Sequence, residues 1–144
     1  TGAAPGSAAH VARRCDAIRP ADAAEHGRAA ATLVRVESPH GAIVARALVS
    51  DAQRPGTVFV PMHWTDQTAS AARVDALVAA VTDPVSGQPA LKSSAARISP
   101  FPARWYGYAV LNRRPRTIAA DYWAIARARG GYRIELAGLS EPGD

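Results

Sequence analysis

The chain reads as a mostly-β domain, a barrel rather than an open parallel sheet, with a few short helices. Three observations predict this. Two neighbouring stretches alternate apolar and polar residues across a tight turn, turn residues recur at short intervals, and the helical patterns are brief. The 144 residues suit one domain, with 48% hydrophobic residues for a core and 11 Gly and 11 Pro to punctuate it. Alanine supplies much of the apolar fraction, and small side chains bury less surface each than Leu or Ile.

Residues 1–14 are rich in Gly, Ala, Pro and Ser and read as loop. Pro20, Asp22, Glu25 and Gly27 mark a short helix, with proline in the first turn, acids near the positive end and glycine past the last turn. Residues 32–38 place Thr32, Val34 and Val36 on one face, and Leu33, Arg35 and Glu37 on the other. Ser38-Pro39-His40-Gly41 is a turn. Residues 42–50 alternate again, Ile43, Ala45, Ala47 and Val49 against Val44, Arg46 and Leu48, which completes a β-hairpin.

Arg54-Pro55-Gly56 forms a second turn before a short buried strand at 57–60. Val74, Leu77, Val78 and Val81 recur at helical spacing and predict a helix over 70–81, stopped by Asp83-Pro84. Residues 94–98 and 105–111 read as strands. Ile118, Tyr122 and Ile125 share a face of a predicted helix over 118–129 that ends at Gly130-Gly131, and 132–136 forms a last strand. From about residue 100 the chain is rich in aromatics, which points to packing against another surface.

The formal charge is +5 and the pI about 10.1, a balance that favours phosphate-bearing ligands, nucleic acid or an acidic protein. The arginines are scattered, as in Arg13-Arg14 and Arg113-Arg114-Pro115-Arg116, and form no stripe on one helix. One cysteine, Cys15, rules out an intrachain disulfide framework and a Cys-rich metal site within this sequence, and fits a reducing compartment. No 18-residue apolar run is present, and the N-terminus lacks an apolar signal core and an initiating Met. A longer parent chain and a cytoplasmic location are therefore expected.

Catalytic machinery is not evident. The four histidines, His10, His26, His40 and His63, have no mutual metal-ligand spacing. His63 with Asp66 is at most a common i, i+3 pair, and no Gly-x-Ser-x-Gly, Gly-x-Gly-x-x-Gly or Walker pattern occurs. A binding turn is better supported. Ser86-Gly87-Gln88 offers a hydroxyl, backbone amides and a carboxamide, with Lys92, the only lysine, close behind. On this reading the turn receives a phosphate.

Val58-Phe59-Val60-Pro61-Met62-His63-Trp64, then Asp83-Pro84-Val85-Ser86-Gly87-Gln88-Pro89 to Lys92, then Trp105-Tyr106-Gly107, follow one known pattern in order and spacing. Pro20 to Ala24, the Val34 to Gly41 hairpin, Tyr122-Trp123-Ala124 and Leu136-Ala137-Gly138 extend it over nearly the whole chain. This pattern resembles the C-terminal cofactor-binding domain of molybdopterin oxidoreductases, assimilatory nitrate reductases above all. The resemblance implies a double-psi β-barrel with short peripheral helices over residues 1–100, truncated at its N-terminal side, and a mixed extension with one helix over 101–144.

It also implies a role: one domain of an enzyme that reduces nitrate to nitrite by oxygen-atom transfer. The cofactor would be bis(molybdopterin guanine dinucleotide) with molybdenum, and an iron–sulfur cluster would sit in a separate N-terminal domain. By position, Thr1 and Gly2 match the end of a cofactor-lining loop, His63 or Trp64 the position after the strand proline, Asp75 a position usually Asn, Gln88 the Ser-Gly-Gln-Pro turn, and Lys92 the lysine after it. These are the candidate cofactor-binding residues; no catalytic or metal-ligating residue is assigned.

Three departures qualify the match. The chain begins after most of the cofactor-lining loop, Ala3 stands where the family tends to carry Arg, and Asp75 puts an acceptor-only carboxylate where Asn both donates and accepts. Expected partners are the remaining domains of the enzyme and an electron-donor protein, not nucleic acid or membrane. Rival readings are the same domain of a formate dehydrogenase or another molybdopterin oxidoreductase, a basic nucleic-acid-binding barrel, and an interaction module that docks through its aromatic tail.

Overall fold

A computed structural model describes residues 15–18, 32–62, 65–71, 73–91 and 94–141. Among them are seven strands in two sheets and almost no helix. The first sheet holds β1 (Cys15–Ile18), β2 (Leu33–Ser38), β3 (Gly41–Val49) and β4 (Arg97–Pro100) in the order β1-β3-β2-β4. The second holds β5 (Trp105–Leu111), β6 (Tyr122–Ala128) and β7 (Gly131–Gly138) in the order β5-β7-β6. All pairings are antiparallel except β1 with β3, which run parallel. The helix predicted over 20–26 and the loop over 1–14 lie outside the described residues.

The β2–β3 hairpin forms where the alternation placed it. Val34 pairs with Ala45 and Val36 with Ile43, so the apolar residues of both strands share one face. Val34, Val36, Ile43 and Ala47 are buried there with Leu77, and Val49, Val58, Val60 and Ile98 pack around them. The opposite face carries Leu33 and Val44, which bury against Phe101 and against Tyr122 and Ala137 of the second sheet. The first sheet is therefore covered on both sides. Arg46 Nη2 donates to Glu135 Oε2 at 2.7 Å and links the two sheets at a half-buried point.

A short segment ties the second sheet in. The Ser70 N–H donates to the Trp123 carbonyl at 2.9 Å, and the Trp123 N–H to Ser70 Oγ at 2.9 Å. Ala69 bridges Ala124, and the Ile125 N–H reaches the Thr68 carbonyl. This segment thus extends the sheet beyond β6 as a fourth, very short rung.

Four expected elements are corrected. The predicted helix over 118–129 is strand β6, and Gly130 makes a hairpin turn instead of a helix cap. Its φ of +79° sits between Ala128 and Gly131, which face each other across the ladder. Alanine favours helix, but intrinsic propensity yields to tertiary context, and pairing along β7 overrides it. The C-terminal segment is thus a three-stranded antiparallel sheet with β7 in its centre, and no helix appears among its described residues.

The predicted helix over 70–81 shrinks to one 3-10 turn, Val74–Leu77. No side chain caps its start, Val78 is already extended, and Leu77 is its one buried residue while Val81 remains 59% exposed. Residues 57–60 form none of the seven strands, although Val58 and Val60 turn inward and Phe59 outward. The strand expected at 94–98 begins at Arg97. No helix among the described residues is long and apolar enough to cross a membrane.

Candidate functional site

Two features lie close in sequence, the 3-10 turn at Val74–Leu77 and the turn at 83–89. The 3-10 turn is seated on the start of β3, where Gly41 leaves room for it. A Cβ at position 41 would lie 2.6 Å from the Ala76 carbonyl oxygen, so only glycine permits this approach. With Leu77 in the core, Asp75 points to solvent. Its carboxylate accepts from Arg73 Nη2 at 2.8 Å and from Nε at 3.3 Å, a two-pronged ion pair. The hydrogen bond from Arg73 holds the Asp75 carboxyl below the usual carboxylate range. Arg73 thereby neutralises the charge that set Asp75 apart from an asparagine.

The second feature is the turn at 83–89. Its organiser is Asp83, which in the sequence marks a helix stop and opens the Asp83–Pro89 motif. Asp83 Oδ1 accepts from the Ser86 N–H at 2.7 Å, the Ser86 hydroxyl at 2.9 Å and the Val85 N–H at 3.0 Å. The Ser86 amide, the Ser86 hydroxyl and the Val85 amide, in that order, hold this carboxyl below its usual range. The Gly87 N–H donates to the Asp83 carbonyl at 2.8 Å, which the glycine φ of +67° permits, and the Gln88 N–H reaches Ser86 Oγ at 3.3 Å. The Asp83 N–H closes the loop onto the Gln88 carbonyl at 2.8 Å, and Thr82 bridges Pro89 below it.

That bonding pattern corrects the expectation of an amide-lined anion cradle. Every backbone N–H from Asp83 to Gln88 is consumed inside the turn, and Pro84 and Pro89 have none to give. A carboxylate, moreover, sits at the centre. The exposed turn keeps for a ligand the Gln88 carboxamide, the carbonyls of Pro84, Val85, Ser86 and Gly87, and the bare apolar tip of Val85, 95% exposed. The signal was legible in Asp-Pro-x-Ser, because an Asp two and three residues before free amides bonds them as an Asx turn.

Of the sequence-predicted site residues, Asp75 and Gln88 are placed, on the 3-10 turn and on the 83–89 turn, and no hydrogen bond or ion pair joins them. Thr1, Gly2, His63, Trp64 and Lys92 lie outside the described residues. Among the described residues no group of three or more His, Cys, Asp or Glu is placed to hold a metal ion.

Residues 2–95 match the family described as Molydopterin dinucleotide binding domain, well over half of the chain. The chain belongs to this family. As a molybdopterin dinucleotide-binding domain, it is 41% identical over 139 residues to a nitrate reductase of Klebsiella oxytoca, covering 96% of this chain and 16% of that protein. It is 39% identical over 98 residues to the assimilatory nitrate reductase catalytic subunit of Bacillus subtilis, covering 66% of this chain and 13% of that one. A nitrate reductase of Synechocystis is 42% identical over 64 residues, 44% of this chain and 9% of that protein. The domain thus spans about a sixth or less of the length of these relatives.

The side chains present suit such a cofactor in part. A pterin dinucleotide carries heterocycles with ring N–H and amino donors, and the acceptors left free on the 83–89 turn match them chemically. Its phosphates call for cations. Arg73 is engaged by Asp75, and Lys92 falls outside the described residues.

Proposed function

We propose that this domain clamps bis(molybdopterin guanine dinucleotide) in a molybdenum-dependent, assimilatory-type nitrate reductase. The observation that carries the reading is 41% identity to a nitrate reductase along 96% of the chain, with a family match over residues 2–95. The bound cofactor supplies the metal centre at which an oxygen atom passes from nitrate, leaving nitrite. This chain contributes binding and orientation. Gln88 offers its carboxamide to the cofactor, Lys92 a compact cation to a phosphate, and Thr1, Gly2, His63 and Trp64 line the same cleft. Asp75, neutralised by Arg73, borders that cleft without repelling the phosphates.

The finer architecture follows the same reading. The parallel β1–β3 pair inside an otherwise antiparallel sheet supports a double-psi barrel completed by residues beyond the described ones. Residues 101–144 are then an extension that packs on it through Phe101, Tyr122 and Ala137. The parent enzyme works in the cytoplasm, takes electrons from a donor protein, and carries its iron–sulfur cluster in another domain. Purified full-length enzyme is expected to contain molybdenum and molybdopterin and to oxidise reduced viologen with nitrate. Viologen oxidation absent with nitrate, or a redox reaction with formate in its place, would overturn the assignment.

A further inference from the structure

The 83–89 turn carries more information than its role as a general contact, because its hydrogen-bond inventory is closed. Ligand recognition at a turn depends on which groups are left over. Phosphate binds where several backbone N–H groups converge on one point. Here those N–H groups converge on Asp83 instead, at 2.7 and 3.0 Å, and the Ser86 hydroxyl joins them at 2.9 Å. The turn has thus supplied its own anion. A second anion would meet a carboxylate and four carbonyls that accept nothing within the turn, with the Gln88 carboxamide as the lone uncommitted donor of residues 83–89.

We infer that this turn receives the aminopyrimidinone edge of the cofactor, and not its phosphates. That edge, shared by pterin and guanine, presents a ring N–H and an exocyclic amino group side by side. The Gln88 side-chain oxygen and the carbonyls of the turn are acceptors for both. Val85, almost fully exposed at the tip, supplies an apolar contact for a planar ring beside those polar groups. Asp83 is a positioning residue in this arrangement: it touches no ligand, but engages the amides and leaves the carbonyls of residues 84–87 uncommitted.

The inference rests on the proposal that this domain holds the cofactor, and two substitutions separate the possibilities by sign. In full-length enzyme, Gln88→Ala removes an acceptor from the edge, whereas Gln88→Glu keeps acceptors and adds charge. If the turn meets an aminopyrimidinone, Gln88→Ala lowers molybdenum and molybdopterin content after dialysis by about fivefold, the weight of one lost hydrogen bond. Gln88→Glu then retains the cofactor nearly as wild type does.

Titrating cofactor-free full-length enzyme with guanosine monophosphate and inosine monophosphate identifies which heterocycle is held. A guanine edge makes the first bind more tightly than the second, in a way that Gln88→Ala abolishes. A pterin edge leaves nucleotide binding unaffected by Gln88. Gln88→Glu losing more cofactor than Gln88→Ala would overturn the inference in favour of a phosphate contact, and unchanged content in both variants would remove the turn from the site. A wild-type enzyme without molybdopterin would instead sink the cofactor reading itself.

Discussion

Two aspartates in this domain show that a charge takes its meaning from its nearest donor. Asp75, suspect in the sequence for its charge, is answered by Arg73 at 2.8 Å, and both side chains are more than half exposed. Water and salt screen such a pair, so its value lies in neutralising the surface and not in stability. Asp83 looked like punctuation and proved to organise a whole turn. Its carboxyl is held below the ordinary carboxylate range. Because the folded value lies below the unfolded one, the bonded turn is fully favoured above about pH 4 and is lost as pH falls through the folded value. Cofactor retention should therefore be flat across neutral pH and decline only in acid. Asp83→Asn, whose side-chain oxygen still accepts from the amides, should retain more cofactor than Asp83→Ala when metal content is measured after gel filtration. Equal losses in the two variants would deny Asp83 its positioning role.

Elements differed in how far the sequence revealed them. The hairpin was legible to within a residue at each end because both strands alternate around a Ser-Pro-His-Gly turn, and a one-residue slip would move Val34, Val36 and Ile43 out of their cluster onto the opposite face. Strand β5 was legible too, from Trp105 to Leu111. Strand β6 was hidden because alanine and a Gly-Gly pair suit a helix end as well as a hairpin, and only the partner strand β7 decides. The 3-10 turn was overread because a helical spacing of valines needs a surface to bury them, and Leu77 alone finds one. Position 138, the last of strand β7, requires glycine for a steric reason no local pattern shows. The Trp105 indole lies across it, so closely that a Cβ at 138 would overlap the indole nitrogen. Gly138→Ala should destabilise the domain by about 1–3 kcal/mol, as overpacking does, and quench or shift Trp105 fluorescence. A thermal midpoint equal to wild type would show that the indole moves aside freely.

For the molecule as a whole, the two sheets behave as one unit because their shared contacts are buried. Leu33 and Val44 meet Phe101, Tyr122 and Ala137, and Arg46 meets Glu135 beside them. Removing one partner of that half-buried pair should cost about 1–3 kcal/mol, and removing both should cost less than the sum. A double-mutant cycle by chemical denaturation of the full-length enzyme checks this, and strict additivity would mean that the bridge carries no coupling. The candidate site was legible in part for a related reason. Its motif residues are contiguous in sequence, so Gln88 and Lys92 stood out, whereas the inward aim of the turn amides depends on a bond pattern that composition does not reveal. If the domain is a cofactor clamp, replacing residues 83–89 by a short glycine linker removes an exposed, self-bonded turn while leaving both sheets intact. The deciding measurement is molybdenum per chain in full-length enzyme carrying that replacement, read beside its thermal midpoint. Loss of most of the metal with an unchanged midpoint is the predicted result; full molybdenum content in the same protein would contradict the clamp.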